Sequence, residues 1–199
     1  MTRLMQQRKD LMRKAIYEAA AKILVEGGFE ATTMDRVADE AGVAKGSLYN
    51  YFPNKLELLR FVHDKTIEPM RVSAAEIIAE SRSAVAKLET LFRMWSEHVA
   101  RQRGLFNFLF NEQAVQTLLQ REGDSKHSDA IDYVAAIIEQ GIGEGAFRVS
   151  SARQYAILVF GAVREMCDTL VASSDPYPAD GMVRLAMDFS LHGLGYTNE

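Results

Sequence analysis

The sequence predicts an all-α fold in two parts: an N-terminal three-helix helix-turn-helix domain and a larger C-terminal helical domain. Three observations predict it. Apolar residues recur at i, i+3, i+4 and i+7 in segment after segment, and no stretch reads convincingly as a strand. Glycine or proline punctuates those segments, at Gly42, Pro53, Gly104 and around Gly141. Finally, 199 residues with 48% apolar and 25% charged side chains and 4 prolines suit one small and one larger globular domain. The boundary is expected near residue 60, giving domains over 1–60 and 61–199.

The first helix carries Met12, Ile16, Ala19, Ala20 and Ile23 on one stripe and ends in Glu26-Gly27-Gly28-Phe29. The second carries Met34, Val37, Ala38 and Ala41. Thr32 or Thr33 can cap its start, and Thr32 with Asp35 fits a capping box. Gly42 supplies the left-handed residue that ends the helix and turns the chain. A third helix is expected from about Ala44 to Phe52, stopped by Pro53. Val43, Leu48 and Phe52 would face inward, leaving Lys45, Gly46, Ser47, Tyr49, Asn50 and Tyr51 outside. Cation, hydroxyls and amide are the groups that hold phosphates and read base edges, and Gly46 lets backbone approach backbone. An ordinary helical hairpin with a polar outer face would show the same pattern.

The flanks separate the two readings. From Arg13 to Leu59 the chain closely resembles the DNA-binding domain of the TetR family of bacterial transcriptional regulators. The resemblance is carried by Gly28-Phe29, Ala31-Thr32-Thr33, Val37-Ala38-Asp39-Glu40-Ala41-Gly42-Val43, Lys45-Gly46-Ser47-Leu48-Tyr49-Asn50-Tyr51-Phe52 and Lys55-Leu56-Glu57-Leu58-Leu59. It implies phosphate contacts from Thr33, Tyr49, Tyr51 and Lys55, and base approach by Lys45, Gly46, Ser47 and Asn50. Ala44 departs from the family, which commonly places Ser or Thr there; the loss is a helix cap worth about 1 kcal/mol.

The helix that starts near Lys55 runs on through Leu59 and Val62. Val85, Leu88, Leu91, Phe92, Trp95 and Val99 mark the next, over Ser83 to Arg101. Leu105 to Leu119 forms another, and after a loop around Gly123-Asp124-Ser125 a helix covers Ser128 to Gly141, with Ile131, Val134, Ala135, Ile137 and Ile138 inward. The glycine-punctuated bend Gly141 to Arg148 is similar to that of many TetR-family C-terminal domains. Ser150 or Ser151 caps a long helix to about Ser173, and Asp175-Pro176-Tyr177-Pro178 separates it from a last helix over Ala179 to Gly193.

Those last two helices are too apolar for one stripe each: Tyr155, Leu158, Val159, Ala162, Val163 and Met166, then Met182, Val183, Leu185, Ala186, Met187, Phe189 and Leu191. The surplus, with the resemblance, implies a homodimer through this helix pair. A two-fold would set two recognition helices on half-sites ~34–36 Å apart, an inverted-repeat operator in double-stranded DNA. The resemblance also implies a small-molecule effector within the larger domain. Trp95, His98, Phe106, Asn107, Phe110, Gln113, Tyr133 and Arg164 are candidates for an apolar pocket with a few polar groups, although aromatic residues at helical spacing are more often core.

Charge fits a protein that meets DNA at one end. Residues 1–60 hold 10 Lys or Arg against 8 Asp or Glu, and the remainder 13 against 19, for a net −4. Arg3, Arg8, Lys9, Arg13 and Lys14 form a basic arm that can neutralise phosphates, while the acidic body discourages nonspecific wrapping. This argues against a DNA-packaging protein. Four dispersed histidines and one cysteine, Cys167, offer no metal pattern and no cofactor loop, so no enzyme and no cofactor are expected. Met1 to Lys14 lacks an apolar core for a signal peptide, and Tyr155 to Val163 is about half of the ~20 residues a spanning helix needs. The expectation is a cytoplasmic protein without membrane contact: a ligand-responsive regulator, expected to repress, released from its operator by the effector. The competing reading is a helical dimer that binds a small molecule or a protein, its DNA binding vestigial.

Overall fold

The computed structural model describes residues 3–111, 125–172 and 179–197, and each regular element among them is a helix. The later part of the expected Leu105 to Leu119 helix, Gly123-Asp124 and the Asp175 to Pro178 separator lie outside the described residues. The chain forms two compact units, Met1–Ile67 with Phe108–Glu122 and Glu68–Asn107 with Gly123–Glu199.

In the first unit α1 (Arg3–Ala31) breaks at Gly28, whose φ of 73° and ψ of −169° leave helical space. Its stripe of Ile16, Ala19, Ala20, Ile23 and Leu24 is buried, as the spacing predicts. Next come α2 (Met34–Glu40), which packs on α1, and α3 (Lys45–Tyr51), which packs on α2. Gly42, at φ 65°, carries the turn between them, where any Cβ would be strained, and Val43 N–H donates back to the Ala38 carbonyl at 3.0 Å. Leu48 and Phe52 are buried beneath α3, while Val43 is half-buried. The capping box expected from Thr32 and Asp35 does not form. Thr33 is the cap and accepts from Arg36 N at 3.2 Å. The helix therefore starts one residue later than a box on Thr32 requires, and Thr32 is buried, its hydroxyl donating to the Gly28 carbonyl at 2.9 Å.

Two cations fasten this unit. Arg13 lays its guanidinium 4.5 Å from the centre of the Phe61 ring and 5.9 Å from that of Phe52. Lys55 donates to the Phe29 carbonyl and sits 3.5 Å from the centre of the Phe29 ring. Both tie α1 to the start of α4 (Lys55–Ala79), a helix that continues past Pro69 and contributes to both units.

The second unit adds α5 (Ala84–Arg101), α6 (Arg103–Asn111, to Asn107 in this unit), α7 (Ser125–Gly143), α8 (Ala152–Ala172) and α9 (Ala179–Gly193). The long α7 and α8 pack on each other, α9 lies on α5, and α5 touches all three. Ser83 caps α5 and Ser151 caps α8. A polar cluster around the buried Lys87 closes the turn before α5 onto α7. Lys87, buried, donates to the Ile78 carbonyl at 2.6 Å and to Gln140 Oε1 at 2.8 Å. Gln140 in turn donates to the Arg82 carbonyl and to Glu144, and Glu144 accepts from Ala84 N at 3.0 Å. At the end of α7 a Cβ on Gly141 would lie 2.1 Å from the Phe147 ring, so only glycine lets that buried ring close the bend.

Candidate nucleic-acid interface

The outer surface of α2 and α3 rests on a buried floor, with Val37, Ala38 and Leu48 beneath it excluded from water. That floor fixes which residues face out. Lys45, Gly46, Tyr49 and Asn50 are exposed, and Ser47 and Tyr51 are half-buried at the edges. A Cβ on Gly46 would meet nothing within 4 Å, so the front of α3 is open enough for close approach of a backbone. Thr33 is exposed at the start of α2. Seven of the eight residues singled out from the sequence therefore stand on or beside this face.

Lys55 stands apart. It is half-buried against Phe29, and burial holds its ammonium below the usual lysine range, opposed by Glu30. Its charge is engaged in joining α1 to α4. Lys45 is also partnered: its ammonium lies 2.7 Å from Asp35 Oδ2 on α2. The hydrogen bond to Asp35 is the main reason its charged form is favoured beyond that of an ordinary lysine. Lys22 makes a similar pair with Glu40, at 2.7 Å. The periodicity of the sequence carries no sign of either pair, since Asp35 and Lys45 sit on different helices across a turn.

Ala44 has the extended backbone of a cap residue (φ −65°, ψ 138°) but no side chain to accept a hydrogen bond. The basic arm is helical and solvent-facing, with Arg3 and Arg8 exposed. Arg13, counted within that arm, is spent on the Phe52 and Phe61 rings instead.

In the second unit, Trp95, His98 and Phe106 are buried, and Tyr133 and Arg164 are half-buried. Trp95 meets Phe160 edge-on at 5.7 Å, and His98 meets Phe106 edge-on at 5.8 Å. His98 also contacts the Gln102 amide at 3.3 Å, as a hydrogen-bonded core histidine does. Arg164 pairs with Asp168 one turn along α8, at 3.5 Å. Asn107 is exposed and does not join this aromatic group. The side chain of Phe110, and Gln113 altogether, lie outside the described residues. Among the described residues no group of His, Cys, Asp and Glu could hold a metal ion, and no helix is long and apolar enough to cross a membrane.

Comparison with known proteins bears on this arrangement. Residues 16–62 match the family model for bacterial regulatory proteins of the tetR family. The HTH-type transcriptional regulator YhgD of Bacillus subtilis is 30% identical over 137 residues, covering 68% of this chain and 72% of YhgD. The chain is a TetR-family transcriptional regulator. The fatty acid metabolism regulator protein of Bacillus subtilis aligns with the regulator over 90% of this chain and 93% of its own length, at 24% identity. A solved structure of FadR from Bacillus subtilis in complex with stearoyl-CoA shares the regulator's fold, with a TM-score of 0.75 and 20% identity over 90% of this chain and 98% of that one. The matched residues contain α2 and α3, the helix-turn-helix of this family, and a helical domain follows them.

Proposed function

We propose that the regulator is a homodimeric repressor that reads an inverted-repeat operator through α2 and α3 and leaves it when a long-chain acyl thioester binds. The exposed face of α3 carries the DNA half of this reading: Lys45, Gly46, Tyr49 and Asn50 point outward from a helix whose inner side is fully committed to core. Tyr49, Tyr51 and Thr33 would contact phosphates. Gly46, Ser47, Asn50 and Lys45 would approach base edges. Lys55 contributes by fixing the entry of α4, with its charge shared between Phe29 and any nearby phosphate.

The effector class rests on the Bacillus subtilis fatty acid metabolism regulator and the stearoyl-CoA complex of FadR from the same organism, each matching nine-tenths of the chain, and on an aromatic interior with the half-buried Arg164 on the same helix as Phe160. Trp95, Phe106 and Phe160 would offer apolar wall, and Arg164 would offer charge to an anionic head. Tyr133 and His98 would flank it. Release then requires that the ligand bind the DNA-incompetent state more tightly, each ~1.4 kcal/mol of preference giving tenfold weaker DNA binding. The regulator would act in the cytoplasm, where operator and acyl thioester are both present.

The test pairs DNA retention with ligand release. Genomic fragments retained by the protein should share an inverted repeat, and micromolar stearoyl-CoA should release them. Sites that resist acyl-CoA of every chain length would remove the effector class. Sequence-independent retention, lost at moderate salt, would favour a helical dimer with vestigial DNA binding.

A further inference from the structure

Lys45 is the one Lys or Arg in the α3 sequence KGSLYNY, and Asp35 on α2 already holds it at 2.7 Å. Both side chains are more than half exposed, at 53% and 59%. Water-exposed ion pairs contribute little to folding. Yet this carboxylate stands on the surface assigned to DNA, where it opposes phosphate. Asp39 also acts on Lys45 through charge, and neighbouring Glu40 holds Lys22. The cation at the front of α3 is thus neutralised before DNA arrives.

We propose that Asp35 is a specificity-determining residue, withholding Lys45 from phosphates at nonspecific sites and joining it in reading a G·C pair at the operator. The inference rests on the DNA-binding reading above. At a nonspecific site Lys45 can reach a phosphate only by leaving Asp35, which strands a carboxylate in a field of negative charge. The counterion release that normally drives such contacts is then largely cancelled. At a G·C pair the major groove offers the guanine N7 and O6 acceptors beside the cytosine N4 amino donor. Lys45 donates to the first and Asp35 accepts from the second, so both charges find partners without being separated.

The test uses the full chain and three variants, D35N, K45Q and the double variant D35N/K45Q. Each is measured on a scrambled duplex over a salt series and on a random-sequence pool followed by sequencing of what is retained. D35N should bind the scrambled duplex several-fold more tightly at low salt. Its log–log salt slope should steepen by about one, the contribution of one freed cation at phosphate. The motif it enriches should lose one G·C position in each half-site. K45Q should abolish the gain in the double variant. Because Asp35 also lies in the first turn of α2, the denaturant midpoint of each variant is measured alongside, and binding is compared where every variant is fully folded. The proposal is overturned if D35N leaves nonspecific affinity, slope and motif unchanged. It is also overturned if the D35N effect persists undiminished without Lys45. A wild-type protein that enriches no motif at all overturns the DNA-binding reading itself.

Discussion

At the scale of single residues, two positions make measurable claims. Ala44 already has the backbone of a cap but leaves the first N–H groups of α3 without a side-chain acceptor. A44S supplies that oxygen with no change of path. It should stabilise the fold by about 0.5–1 kcal/mol, read as a higher denaturant midpoint at unchanged m. An unaltered midpoint would show that the end of α3 is satisfied by solvent. Asp168 gives the pH prediction. Burial pushes its carboxyl above the ordinary aspartate value of 3.8, opposed by Arg164 and reinforced by Glu165. A group raised on folding favours the fold below its unfolded pKa, and that contribution is lost as pH rises through the folded value. Stability should therefore decline less from pH 3.8 upward in D168N than in wild type, by denaturation across the acid range. Equal slopes would contradict it. Neither position's environment was open to sequence reasoning beyond its type: the missing cap at Ala44 is visible in one letter, but the burial of Asp168 depends on how α8 is seated.

At the scale of elements, the helices were legible because each buries one stripe at helical spacing, and their ends because caps and glycines are chemically specific. Ser151 and Gly42 stand where the residue types predict. The capping box failed since Thr32 and Thr33 offer the same hydroxyl one residue apart, and only packing decides which is buried. Partnerships between helices were not legible. Lys87 and Gln140 are 53 residues apart, and a lysine in a helix ordinarily reaches for water, yet this one is enclosed and bridges Ile78 to Gln140. The Asp35 and Lys45 pair escaped for the same reason. The Lys87 cluster carries its own prediction. K87M keeps much of the volume but leaves a half-buried carbonyl and an amide oxygen without their donor, which should cost about 1 kcal/mol. A variant as stable as wild type would mean the cluster is replaceable by packing alone.

At the scale of the whole molecule, the apolar surplus on the last two helices divides in two. Val159, Val163, Met182, Val183 and Ala186 are buried in the described unit, while Leu158, Leu185 and Phe189 remain 63%, 57% and 51% exposed. Exposed apolar side chains on these two helices are what an interaction surface offers, and the proposed homodimer would seat its second copy there. L158E with F189E should leave the fold intact, shift the protein to monomer in sedimentation, and reduce operator affinity sharply by uncoupling the half-sites; a variant still dimeric would move the interface elsewhere. Whether the α3 face of this regulator reads sequence is decided by retaining genomic fragments on the protein across a salt series and sequencing them. A small set of sites should survive rising salt and share one inverted repeat. Recovery without any common motif, vanishing at moderate salt, would contradict it.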